Sequence, residues 1–106
     1  MNEVYSFDAF DRRRILVSEE RWQHIKIRHP EVGNDITLLS KALSKPEEAY
    51  ENGRGGIHSL LRLDESHFLA IIYAPTNDEG FVKTAYMTDV KRKERRYRGL
   101  QSLKRS

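Results

Sequence analysis

The chain has 106 residues, 33% of them charged and 38% hydrophobic, which supports one ordinary globular domain and excludes a multidomain machine. It contains no cysteine, which excludes disulfide staples, thiolate catalysis and cysteine-ligated zinc or iron–sulfur centres. Nineteen basic residues stand against sixteen acidic ones, but eight of the basic ones (Lys91, Arg92, Lys93, Arg95, Arg96, Arg98, Lys104 and Arg105) fall after Val90, beside the single acid Glu94.

A concentrated basic end on a slightly acidic body points to an anionic partner, with nucleic acid the first candidate. The bland alternative is a solvated terminus. No apolar run approaches the roughly 18 residues that span a bilayer, and the N-terminus lacks the basic-then-apolar order of a leader. A soluble, cytoplasmic protein is the expectation.

In chain order, Arg13 to Val17 is a short β-prone run. Ser18 followed by Glu19 and Glu20 reads as a helix N-cap with acids in the first turn. The spacing predicts a helix from Glu19 to His29, stopped by Pro30. Asn34 or Asp35 can cap a second helix through Ile36, Leu38, Leu39, Ala42 and Leu43, with Pro46 as its stop signal. A brief segment Glu48 to Glu51 leads to the turn Asn52-Gly53-Arg54-Gly55-Gly56. Three β-prone runs follow, Ile57 to Leu63, His67 to Ala74 and Phe81 to Thr88, joined by short connections that demand antiparallel neighbours. The middle run is apolar on both alternating sets of positions, as a strand covered on both faces should be.

The expected architecture is α+β: two N-terminal helices on an antiparallel meander of about four strands, then a basic C-terminal helix or tail. All of it is read as one domain over 1–106, and no repeat or linker divides it. Core candidates are Trp22, Ile25, Leu38, Leu39, Leu43, Leu61, Leu69, Ile71 and Val82.

The densest polar cluster lies between Arg21 and Glu31. At about 100° per residue, Trp22, Ile25 and His29 share one arc, and Arg21, His24 and Arg28 an adjacent one. His24 and Arg28 form an i, i+4 pair. His29 lies about 140° from His24 on a regular helix, so the two imidazoles cooperate only where the helix loosens before Pro30. An imidazole beside a guanidinium suits phosphodiester chemistry, because the first moves a proton and the second holds a phosphate bidentately. Surface decoration is the competing explanation.

On the last strand, alternation puts Val82, Thr84, Tyr86 and Thr88 on one face and Phe81, Lys83, Ala85 and Met87 on the other. Thr84 and Tyr86 could bind a phosphate oxygen or a base, although both are common strand formers. His58 and His67 sit at strand ends and could meet across a hairpin, but no compact ligand set accompanies them, so neither a metal nor another cofactor is expected.

The succession Trp22-x-His24-Ile25-x-x-Arg28-His29-Pro30-Glu31, a second helix, Pro46, and three strands closing in Lys83-Thr84-Ala85-Tyr86 resembles the BECR-fold ribonucleases. That superfamily groups barnase, EndoU, colicin-type and RelE-like toxins. The resemblance covers Ile15 to Thr88, and its closest branch looks like the phage-associated one, PBECR. It implies a small metal-independent endoribonuclease, often a toxin, in which an RNA 2′-OH attacks the adjacent phosphate to leave a 2′,3′-cyclic phosphate. It further implies His24 or His29 as general base or acid, Arg28 on the phosphate, and Thr84 and Tyr86 on a phosphate oxygen or base. Apart from the resemblance, the distribution of basic charge makes Arg21, Arg54, Lys83, Lys91, Arg92, Lys93, Arg95 and Arg96 the expected RNA contacts.

Two other readings compete. One is a nucleic-acid-binding module without catalysis, held by the basic C-terminus through salt-sensitive contacts. The other is an interaction protein whose basic end meets an acidic partner, such as the antidote of a toxin.

Overall fold

The computed structural model describes residues 4–105. Among them the chain runs through β1 (Val4–Asp8), β2 (Arg14–Ser18), α1 (Glu19–Arg28), a 3-10 turn (Pro30–Val32), α2 (Thr37–Ser44), β3 (Glu48–Glu51), β4 (Ile57–Arg62), β5 (His67–Pro75), β6 (Glu79–Asp89), α3 (Val90–Tyr97) and β7 (Gln101–Arg105). The seven described strands make one sheet in the order β1-β2-β6-β5-β4-β3-β7. It is mixed, because β2 runs parallel to β6 while every other pair is antiparallel.

The expected two helices on a four-strand meander are therefore incorrect: the fold is a seven-stranded mixed sheet with three helices among the described residues. Three short segments account for the difference. Val4–Asp8 pairs with β2 as a hairpin, Glu48–Glu51 is a strand between β4 and β7, and the basic C-terminus is neither a lone helix nor a tail but α3 followed by β7. Each is only four or five residues long, too short to show a decisive period by itself. Each becomes a strand because a neighbouring strand offers a ladder of N–H and C=O groups to pair with.

Local signals do set α1 and α2. The Ser18 hydroxyl accepts the Arg21 N–H at 3.0 Å, and His29, forced out of the helical region by Pro30, ends α1 with φ −133°. Before α2, the Asp35 carboxylate accepts the Thr37 N–H at 3.0 Å.

Two cores sandwich the sheet. On one face α1 and α2 cover Ile15, Val17, Leu69, Ile71, Tyr73, Val82 and Ala85 with Trp22, Ile25, Leu39 and Leu43. On the other, Tyr97 of α3 packs with Tyr50, Leu60, Phe68 and Ala70, joined by Tyr86, Val90 and Leu100. Strand β5 feeds both, Leu69, Ile71 and Tyr73 to the first and Phe68 and Ala70 to the second, because successive side chains leave a strand on opposite faces. That is why the run is apolar throughout. Helix α3 forms from a stretch that reads as solvated because its inner stripe is Val90, Lys93 and Tyr97, two of them polar-tipped. Gly99, at φ +82°, then takes a left-handed conformation open to glycine and turns the chain into β7.

Candidate active site

The site is built where β6 outruns β2. Their parallel pairing stops at Leu16 opposite Phe81, while β6 continues to Asp89. A bulge intervenes at Lys83: Val82 pairs with Tyr73 but Thr84 pairs with Ile72. The extra residue shifts the alternation, so Val82 joins the core under α1 and α2 while Tyr86 joins the core under α3. The expectation that Val82 shares a face with Thr84, Tyr86 and Thr88 is thereby corrected.

The β6 edge left by β2 is met instead by the end of α1. The Glu31 carboxylate takes a hydrogen bond from the Met87 backbone, and His29 comes to 6.1 Å from Tyr86, ring centroid to centroid, tilted by 45°. His29 Nδ1–H donates to Glu31 Oε2 at 3.2 Å. This leaves Nε2 without a hydrogen-bond partner among the described residues. Burial by itself would raise the Glu31 carboxyl, but hydrogen bonds from its own backbone, His29 and Met87 outweigh it and hold the group below its ordinary range.

From the other side α3 brings its arginines. Its N-terminus is capped by Asp89, whose carboxylate accepts the Arg92 N–H at 2.8 Å. Arg96 lies over the Tyr86 ring, 4.9 Å from guanidinium carbon to centroid, and Arg92, Arg95 and Arg96 line one depression with Tyr86, Met87 and Thr88.

Behind Tyr86 runs a buried polar chain. The Tyr86 and Tyr97 hydroxyls are 2.8 Å apart, Tyr97 lies 2.9 Å from His58 Nδ1, and His58 Nε2 is 3.1 Å from Asn52 Nδ2. Burial, helped by the neighbouring Arg96 charge, pushes the His58 imidazole down to about 4. Burial also raises the Tyr97 hydroxyl, reinforced by its bond to Tyr86.

The structure thus gathers His29, Tyr86, Arg92, Arg95 and Arg96. Thr84 sits on the same sheet face, in the row Tyr50, His58, Ile72, Thr84. Arg54 lines a second depression with His58 and Arg96 across α3. Lys83 is exposed at the bulge and Lys91 on α3. His24 and Arg21 open elsewhere, into a depression on the outer side of α1 with Ser18 and Gln23, and Arg28 is exposed.

Lys93 does not face solvent at all: its side chain is 7% exposed and its ammonium sits 3.0 Å from Glu48. His58 and His67 do not meet, since β4 and β5 are antiparallel and His67 bonds Asp64 instead. Sequence reading missed Glu31, Asn52 and Tyr97 as members of the site. Only the Val90, Lys93, Tyr97 spacing hinted that Tyr97 turns inward.

No group of three or more His, Asp or Glu side chains among the described residues is placed to share a metal ion. Among the described residues, no helix is long and apolar enough to cross a membrane. Comparison with protein-family models, with characterised proteins and with solved structures gives no match.

Proposed function

We propose that the protein is an endoribonuclease that cleaves by 2′-OH attack, with His29 as general base. The observation that carries this reading is the His29–Glu31 pair beside Tyr86 and beneath Arg96. Glu31 accepts from Nδ1, which leaves the Nε2 lone pair to take the 2′-OH proton. The 2′-oxygen then bonds to phosphorus, the bond from phosphorus to the 5′-oxygen breaks, and the Tyr86 hydroxyl protonates the departing oxygen. Arg96, with Arg92 and Arg95, balances the charge that builds on the nonbridging oxygens. The products are a 2′,3′-cyclic phosphate and a free 5′-hydroxyl. This route uses side-chain acid, base and cation throughout and calls for no metal ion.

The test is incubation of a mixed-sequence RNA, and its all-deoxy counterpart, with the protein in excess EDTA. RNA cut to cyclic-phosphate ends, DNA left intact, and a loss of about 10²-fold or more in His29→Ala with binding retained is the expected result. Intact RNA that is merely shifted in a gel would replace this reading with a binding module.

A further inference from the structure

We infer that Asn52, His58 and Tyr97 form a one-way chain of hydrogen-bond donors that ends on the Tyr86 oxygen and turns the Tyr86 proton outward, toward a phosphate group beside Arg96. The inference rests on the cleavage reading above and adds positioning residues to it.

The direction follows from the turn between β3 and β4. Asn52 Oδ1 accepts two backbone N–H groups, from Arg54 at 2.8 Å and Gly56 at 3.0 Å. Only an oxygen can do that, so the atom facing His58 is the amide nitrogen, a donor. His58 Nε2, 3.1 Å from it, must accept. A neutral ring that accepts at Nε2 carries its hydrogen on Nδ1, and burial beside Arg96 keeps this ring neutral at pH 7. Nδ1–H therefore donates to the Tyr97 oxygen at 2.9 Å. Tyr97 has one proton; the Arg96 guanidinium that also reaches its oxygen can only donate, so Tyr86, at 2.8 Å, is the partner left to accept it. With its oxygen accepting from Tyr97, Tyr86 holds its own proton for an external acceptor.

The chain ties a turn, a central strand and a helix to one hydroxyl at the rim of the arginine-lined depression. It also serves the chemistry. As Tyr86 gives its proton to the leaving oxygen, the Tyr97 donor stabilises the charge left on the phenolic oxygen, and hydrogen bonds in series strengthen one another in a low-dielectric setting.

The experiment has two readouts. Nitrogen-15 NMR of the histidine rings, with no RNA present, should show His58 neutral at pH 7 with hydrogen on Nδ1; hydrogen on Nε2, or a protonated ring, overturns the chain whatever the activity. Cleavage kinetics should then show a fall in kcat of about 10²-fold in Tyr86→Phe and about tenfold in Tyr97→Phe, with KM unchanged. The double variant should be no slower than Tyr86→Phe. Asn52→Asp keeps both turn bonds, presents an acceptor to Nε2 and reverses the chain, so it should fall toward Tyr86→Phe while its far-ultraviolet circular dichroism stays native.

Wild-type kcat in Tyr97→Phe, or in Asn52→Asp with hydrogen moved to His58 Nε2, overturns the inference. A wild-type protein that binds but does not cut overturns the catalytic reading alone; the chain is then judged on binding of a non-cleavable 2′-O-methyl RNA, which Tyr86→Phe should weaken, Tyr97→Phe should weaken less, and the double variant no more than Tyr86→Phe. Additive losses there, or wild-type binding in Tyr97→Phe, overturn it, and absence of both cutting and binding overturns both proposals.

Discussion

Lys93 Nζ lies 3.0 Å from Glu48 Oε2 and 5.0 Å from the centre of the Phe68 ring, on a side chain that is only 7% exposed. A lysine in the middle of the most basic segment is thus a strut between α3 and β3, held by the carboxylates of Glu48 and Glu94 and by one aromatic face. Removing its charge takes away the ammonium that offsets the desolvation of Glu48, which then keeps neutral partners such as the Tyr50 hydroxyl. Lys93→Met is expected to destabilise the fold by about 3 kcal/mol, measured by urea denaturation, without changing the salt dependence of RNA binding. Arg92→Ala and Arg95→Ala should do the reverse, each lowering the slope of log affinity against log salt by about 0.7 with little effect on stability.

Helix α1 carries His24 and is ended by His29, and the fold separates the two. His24 opens toward the outer depression with Arg21, while His29 reaches Tyr86. Under the proposed chemistry His24→Ala and Arg28→Ala retain wild-type cleavage, whereas His29→Ala loses it. Single-turnover rates on one RNA decide this, and a loss in His24→Ala equal to that in His29→Ala would sink the assignment.

His58 makes stability depend on pH in a known direction. Its folded value, about 4, lies below the ordinary 6.5. Between these values the unfolded chain takes up a proton that the folded protein refuses. Its contribution is therefore complete above pH 6.5, lost as the pH falls toward 4, and worth about 3 kcal/mol over that span. Unfolding free energies should drop with acidity already between pH 6.5 and 5, above the carboxylate range. His58→Gln, which does not titrate, should flatten that part of the curve.

Gly80 marks the point where β2 joins β6 in parallel. A Cβ there would stand 2.9 Å from the Ile15 side chain and 3.1 Å from both the Ala74 carbonyl and the Tyr73 ring. Backbone and buried ring cannot yield easily, so Gly80→Ala is expected to cost about 1–3 kcal/mol. Thermal unfolding checks this, and an unchanged midpoint would mean that the β2–β6 junction is looser than described.

Some of this protein is legible from residues alone. Ser18, Glu19, Glu20 and Pro30 delimit α1 because capping, dipole and proline effects act within a few residues. The unbroken apolar run from Phe68 to Tyr73 declares a strand covered on both sides, and His29 and Tyr86 already stand out as groups able to do chemistry. Tertiary structure decided the rest. Whether four or five residues at Val4, Glu48 or Gln101 become a strand depends on the ladder a distant neighbour offers. The bulge at Lys83 reverses the face of every side chain after it, and no local period encodes that. Lys93 turns inward for Glu48, 45 positions away, and His58 finds Tyr97 across 39. Buried polar groups take whichever partner the assembled fold brings within reach, so which of His24 and His29 lies beside Tyr86, and which groups line up behind the Tyr86 hydroxyl, belong to the whole molecule rather than to any stretch of its sequence.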